Sequence, residues 1–244
     1  MSVWDVYASR IGAKGGTKRG AMKNITLARL EEMMPDTLSY KTVTIEDEIQ
    51  NVSIVDTTEL SVKKIFSLPG ETLVHGGLVD WENSKWLITE INAHDELYQE
   101  GRIERCNQIL RWVDPEGNAH EQWGIVEDGT KYLVGELEKK MMTIGDSRMA
   151  LTIAKNEDTS RLRIGTRFII GDPDAEEQVA YEITKPNTLF NVYNGRGVYR
   201  FILSQVPITH NDDLETQTAD YYGQGFKSDI VVDPEKIRET GVYL

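Results

Sequence analysis

Cysteine is nearly absent from this chain. Cys106 is the single thiol among 244 residues, which excludes an internal disulfide and any zinc site built on several thiolates. Cys106 falls within the strand pattern Arg102-Ile103-Glu104-Arg105-Cys106, so it reads as a buried structural thiol and not a nucleophile. Long apolar runs are missing too. No stretch approaches the roughly 18 consecutive apolar residues that a membrane-crossing helix requires, and with a mean hydropathy of −0.43 the composition predicts a soluble chain. The opening Met1-Ser2-Val3-Trp4-Asp5-Val6-Tyr7 lacks the basic-then-apolar order of a secretory signal. Action within the producing cell, or exit by another route, is the expectation.

Catalytic and metal-binding patterns are equally scarce. His75, His94, His120 and His210 stand far apart, with no pair four residues apart on a helix, and read as surface or turn residues. Gly15-Gly16-Thr17-Lys18-Arg19-Gly20 lacks the Gly-Lys-Ser/Thr ending of a phosphate loop and follows no strand. No Gly-x-Ser-x-Gly nucleophile elbow occurs. The acidic stretches Asp172-Pro173-Asp174-Ala175-Glu176-Glu177 and Asn211-Asp212-Asp213 lack the spacing of a calcium loop and read as solvated turns. No carboxylate pair is singled out for glycoside chemistry. The expectation is a protein that is not an enzyme and needs no metal or cofactor.

What is present is charge, unevenly placed. Net charge is −13, yet residues 1–29 hold Arg10, Lys14, Lys18, Arg19, Lys23 and Arg29 against Asp5 alone, a net of +5, which leaves −18 on the remainder. A basic arm on an acidic body seeks nucleic acid, an acidic neighbour or an acidic patch of its own chain. Gly12, Gly15, Gly16 and Gly20 predict flexibility from Arg10 to Gly20, and Trp4, Val6, Tyr7 and Ile11 supply apolar anchors, so the arm reads as a segment that orders on docking. A solvated tail is the plain alternative.

The body carries one β-rich pattern twice. The first copy runs through Thr58–Val62, a Pro69-Gly70 turn, Gly77–Trp81, Lys85–Ile91 and Arg102–Cys106. The second runs through Ser147–Ile153, Gly165–Ile170, Gln178–Thr184 and Gly197–Leu203. Each run alternates apolar with polar residues or is rich in β-branched and aromatic types, as strands with one buried face require. Two copies are too few for a solenoid. The predicted fold is therefore mainly β, two tandem small β-barrel or β-sandwich modules with a short N-terminal helix and extended N- and C-terminal arms.

The expected boundaries are a basic flexible arm and short helix over 1–37, a first module over 38–138, a second over 139–210 and a C-terminal tail over 211–244. The helix is predicted from Asn24 as cap to Met34, stopped by Pro35. Leu38 to Val55 predicts a hairpin split at Glu46-Asp47-Glu48, and Asp128-Gly129 predicts another between Gln122–Val126 and Lys131–Val134. Trp81, Trp86, Tyr98, Trp112, Trp123 and Tyr132 lie inside strand patterns, which favours core packing over a glycan or base-stacking platform.

The runs Pro69-Gly70-Glu71, His75-Gly76-Gly77-Leu78-Val79-Asp80-Trp81, Trp86-Leu87-Ile88-Thr89-Glu90 and Cys106-Asn107-Gln108-Ile109-Leu110-Arg111-Trp112 resemble a family of virion structural proteins of tailed bacteriophages. The likeness extends to Ala13–Gly16, Glu127–Tyr132, Ile183–Asn187 and Asn191–Gly195, and so spans about residues 1–222. Members are similar to head-completion or head-tail connector proteins. The resemblance implies a cyclic homo-oligomer at the head-tail junction of the virion, assembled in the host cytoplasm, in contact with portal or adaptor and tail-side neck proteins. Genomic DNA would pass it without specific binding, and no membrane is involved. No catalytic residue carries over. Trp4, Tyr7, Arg10, Lys14, Lys18, Arg19 and Lys23 are the expected interface residues. Head decoration, a tail-tip or baseplate adaptor, a glycan-binding or hydrolytic phage protein and a nucleic-acid-binding regulator are the competing readings.

Overall fold

A computed structural model describes residues 2–13, 15–92, 96–129, 148–175, 178–189 and 191–221. The chain divides into two compact units, Met1–Arg105 and Cys106–Leu244. It is mainly β, with two barrel-like modules and a helical N-terminus.

The first unit opens with two helices, α1 (Val3–Ala13) and α2 (Lys18–Met33), and a 3-10 turn over Met34–Asp36. This corrects the flexible arm and the short helix expected from Asn24. The glycines serve close approach instead of freedom. Gly15 and Gly16 take φ of 105° and 73°, and a Cβ added at Gly20 would lie 2.2 Å from the Gly15 carbonyl oxygen. The true cap is Thr17, whose hydroxyl accepts the Gly20 N–H at 3.0 Å. Pro35 lies in the 3-10 turn that follows the helix, as expected of a residue that cannot continue it.

Six strands follow: β1 (Tyr40–Ile45), β2 (Glu48–Asp56), β3 (Val62–Ser67), β4 (Leu78–Trp81), β5 (Ser84–Asn92) and β6 (Glu100–Arg105). They close into an antiparallel barrel of order β1-β2-β3-β6-β5-β4, sealed where Thr44 pairs with Asp80 and Ile45 with Val79. Its core holds Val52, Ile65, Val79, Ile88 and Ile103, all fully buried. Each such side chain contributes about 1.5–3 kcal/mol by leaving water. The expected hairpin at Glu46-Asp47 is present, with φ of 50° and 69°, and its two strands form part of the barrel wall.

The second unit builds the same design from β7 (Gln108–Val113), β8 (Ala119–Asp128), β9 (Arg148–Ala154), β10 (Arg167–Ile170), β11 (Val179–Asn187) and β13 (Arg196–Val206), with the short β12 (Val192–Tyr193) pairing only β13. Their order, β7-β8-β9-β13-β11-β10, repeats that of the barrel strand for strand. The agreement reaches single residues. A register shift falls at Thr89 in β5 and at Thr184 in β11. Each bulged threonine turns its hydroxyl to the opposing strand, Thr89 toward Glu104 Oε1 at 3.1 Å with the Arg102 carbonyl at 3.4 Å, and Thr184 toward the Ile202 carbonyl at 3.1 Å. The preceding isoleucines match too. Gly76 N–H donates to Ile88 O as Gly165 N–H does to Ile183 O, and both glycines have positive φ, 79° and 86°.

The repeat is thus longer than its sequence trace. It includes β1–β2 and β7–β8, which is why the division falls after Arg105 and not within 113–145, and why residues 106–128 belong to the second module. Gly165 matches Gly76 and not Gly77. The expected partner strand Lys131–Val134 and the boundary near Lys139–Met142 lie outside the described residues, and β8 pairs instead with β7 and β9. Cys106 is buried just beyond the end of β6. Trp86 and Trp112 are buried, in keeping with core packing, whereas Trp81, Tyr98 and Trp123 are half-buried, and Tyr132 lies outside the described residues.

One difference separates the modules. No ladder joins β7 to β10 among the described residues. Trp112 of β7 meets Phe168 of β10 edge-to-face at 6.1 Å, and residues 207–221 form a strap over this seam. Arg111 donates to the Thr216 carbonyl at 3.2 Å and Gln217 to the Gly171 carbonyl at 3.3 Å. The strap corrects the first part of the polar tail expected over 211–244: Asp212, Gln217, Thr218 and Ala219 are buried. Residues 222–244 lie outside the described residues.

Candidate functional site

The residues expected at an interface separate into two groups on the helices. On α1, Trp4 and Tyr7 are 76% and 58% exposed and meet edge-to-face at 6.2 Å. Arg10 belongs to α1, but its side chain, like all of Lys14, lies outside the described residues. On α2, Arg19 and Lys23 turn toward their own barrel, with Glu96 taking Arg19 Nη2 at 2.6 Å and Lys23 Nζ at 3.6 Å. Lys18 points to solvent on another face. Helical spacing of three and four joins Lys18 to Met22, Ile25, Arg29 and Met33, and all five are exposed. No residue of α2 is buried. Sequence reasoning missed Arg29 as a member of this stripe, although its spacing from Lys18 was readable.

A groove of about 490 Å³ opens on the barrel wall of the first unit, lined by Thr57, Glu59, Lys64, Glu90, Glu100 and Arg102 among others. Lys64 is neutralised by Glu100 at 2.7 Å and Arg102 by Glu104 at 3.0 Å. Glu59 and Glu90 are exposed and have no ion-pair partner among the described residues, and Leu60 beside Glu59 is 93% exposed. The groove therefore carries surplus negative charge next to an uncovered apolar side chain.

The second unit holds two polar clusters that the sequence did not announce. Asp114, at the β7–β8 turn, is buried and accepts from the Asn118 backbone N–H at 2.7 Å and its side-chain amide at 2.9 Å. His120 Nε2 lies 3.0 Å from the same carboxylate, its Nδ1 lies 3.3 Å from Asp158, and its ring stacks on Trp112 at 5.5 Å. Arg161 approaches Asp114 at 3.4 Å. The Asn118 amide above all, helped by His120, outweighs burial and holds the Asp114 carboxyl well below the usual carboxylate range. Reading His120 as an ordinary turn residue was therefore incorrect.

The other cluster fastens the strap. Arg167 grips Asp212 with both terminal nitrogens, and Nη1 also donates to Asp220 at 2.7 Å and Nη2 to the Pro207 carbonyl at 2.9 Å. Burial opposes ionisation of both partners, yet Arg167 and the N–H groups of Asp220 and Thr209 hold Asp212 below its ordinary range, and the two aspartates push Arg167 above its own. Asp212 is thus a buried anchor, which corrects its reading as part of a solvated acidic loop. A cleft of about 410 Å³ beside these clusters has Arg161, Arg163 and Arg167 facing Asp114 and Asp220. The described residues that line it include no Ser, Cys, Lys or His. Among the described residues no group of three or more His, Cys, Asp or Glu is arranged to hold a metal ion, and no helix is long and apolar enough to cross a membrane.

No family model matches the chain, and no curated protein matches it. Two solved structures of MrkH are similar to it. One, titled a novel c-di-GMP-dependent transcription regulatory factor, is 12% identical with a TM-score of 0.21, over 79% of this chain and 86% of that one. The other, MrkH of K. pneumonia in its apo state, is 11% identical with a TM-score of 0.23, over 80% and 88%. At these values the likeness bears on neither fold nor function.

Proposed function

We propose that this chain is a structural subunit of a tailed-phage virion that assembles as a cyclic oligomer at the head-tail connection. The observation that carries this reading is the N-terminal helix pair: it exposes Trp4, Tyr7, Met22, Ile25 and Met33 beside basic side chains, while the body of the same chain is strongly acidic. Exposed apolar residues grouped with charge mark a surface meant to be covered. A ring needs two different complementary patches on each subunit, and a basic helical face with an acidic body supplies such a pair. Opposite charges of this kind set register and approach more than affinity. A closed barrel and a barrel-like sheet of the same strand order supply the walls.

The resemblance of Pro69–Trp81, Trp86–Glu90 and Cys106–Trp112 to virion structural proteins supports the same reading. The test is copy number per particle, by quantitative mass spectrometry against the portal and the major capsid protein. A count equal to the portal supports the ring. A count that follows the capsid protein replaces it with head decoration, and absence from the particle defeats it.

A further inference from the structure

We infer that the exposed face of α2 docks into the acidic groove on the first barrel of a second copy of this chain. The inference rests on the ring reading and names the two surfaces that meet in it.

The helix divides its cations between two tasks. Arg19 and Lys23 are spent on Glu96 of their own chain. Lys18 and Arg29, also on α2, have no ion-pair partner among the described residues; they bracket Met22 and Ile25, and Met33 follows one turn after Arg29, the three apolar side chains being 61%, 63% and 55% exposed. Lys18 and Arg29 are eleven positions apart, so the face is about 16 Å long at 1.5 Å per residue. It reads as a cation at one end, an apolar middle and a second cation before the final methionine.

The groove divides its charges in the mirror sense. Lys64 and Arg102 are already matched by Glu100 and Glu104. Glu59 and Glu90 are left over, and Leu60 stands almost fully exposed at the side of Glu59. Two free carboxylates and an uncovered leucine complement two free cations and an uncovered Met-Ile-Met stripe. The α2 face is exposed in its own chain, so the groove is filled from another. Because the helix face and the groove are different surfaces of one chain, the contact is heterologous and propagates head to tail, as ring closure requires. Met side chains adapt to an irregular wall, which suits them to the centre of the contact.

The experiment uses the full chain. Sedimentation velocity over a concentration series measures self-association of the native protein, of Lys18→Glu/Arg29→Glu, of Glu59→Lys/Glu90→Lys, and of the two reversed chains mixed. Each reversed chain alone is expected to associate about tenfold more weakly or worse, and the mixture to recover most of the loss. In parallel, Ile25→Cys and Leu60→Cys chains are mixed and treated with a short bismaleimide, the parent with buried Cys106 serving as control. A cross-linked pair that forms only in the mixture supports the docking. Native-like association in both reversed chains, with no cross-link, overturns the docking and leaves the ring reading standing. A native chain that remains monomeric at every concentration overturns both.

Discussion

Arg167 and Asp212 form a two-pronged ion pair, Nη1 to Oδ1 at 2.9 Å and Nη2 to Oδ2 at 2.8 Å, with the aspartate side chain fully buried. The pair joins the first residue of β10 to the strap and so does for the second module part of what direct β1–β4 pairing does for the first. Removing one partner strands the other as an uncompensated buried charge. Arg167→Ala is expected to cost about 3 kcal/mol, read as a lower urea midpoint, and to speed proteolytic cleavage within 207–221 before the barrels yield.

Acid is expected to weaken the second module. Asp212 and Asp114 both have folded-state pKa values below the ordinary carboxylate range, so the folded state holds its charge where the unfolded chain has begun to bind protons. The stabilisation is complete above about pH 4, near the unfolded value, and is lost as pH falls through the lower folded values. Urea midpoints measured from pH 6 down to pH 2 should fall below pH 4. Asp114→Asn should flatten that fall, because the amide no longer titrates.

The helical turn is expected to depend on bare backbone at Gly20. A Cβ there would meet the Gly15 carbonyl oxygen and the Thr17 hydroxyl, so Gly20→Val should open the α1–α2 turn at a cost of about 1–3 kcal/mol within the arm. Circular dichroism should lose helical signal while the barrel melting temperature stays unchanged. Loss of barrel stability would mean that the helices support the first core.

By contrast, Glu96→Ala should barely move stability. Its partner Arg19 is well exposed and Lys23 half-exposed, and solvent-screened pairs of this kind contribute about 0–1 kcal/mol. What should change is access: trypsin should cut after Arg19 and Lys23 faster in the variant, and salt should erase the difference in rate.

The two cores should respond separately to truncation. Ile65→Ala in β3 and Leu151→Ala in β9 each delete a fully buried side chain from a different cluster, at about 2–5 kcal/mol apiece. Hydrogen exchange should show each loss of protection confined to its own module.

Sequence reading fared best where periodicity is local. The alternation in Lys85–Ile91 and Gln178–Thr184 marked β5 and β11, and even the bulged Ile-Thr dipeptides lay inside the traced repeat. It fared worse on the helices, because Gly12, Gly15, Gly16 and Gly20 signal freedom in a window that cannot reveal one backbone pressed against another. The candidate surface was half legible. Charge asymmetry pointed to the arm, but only the fold shows Arg19 and Lys23 committed to Glu96, and Lys18 and Arg29 left facing outward.

What the sequence by itself determined is the repeated pattern of strands, the basic start and the acidic body, since periodicity and net charge are sums over neighbouring residues. The tertiary structure decided which strands belong to which module, the strap over the open seam, and the pairings Asp114–His120 and Arg167–Asp212. Arg167 and Asp212 are separated by 45 residues, and no local rule brings them together. Their meeting follows from the β10-β11-β13 order, which returns the chain to the seam before the strap begins.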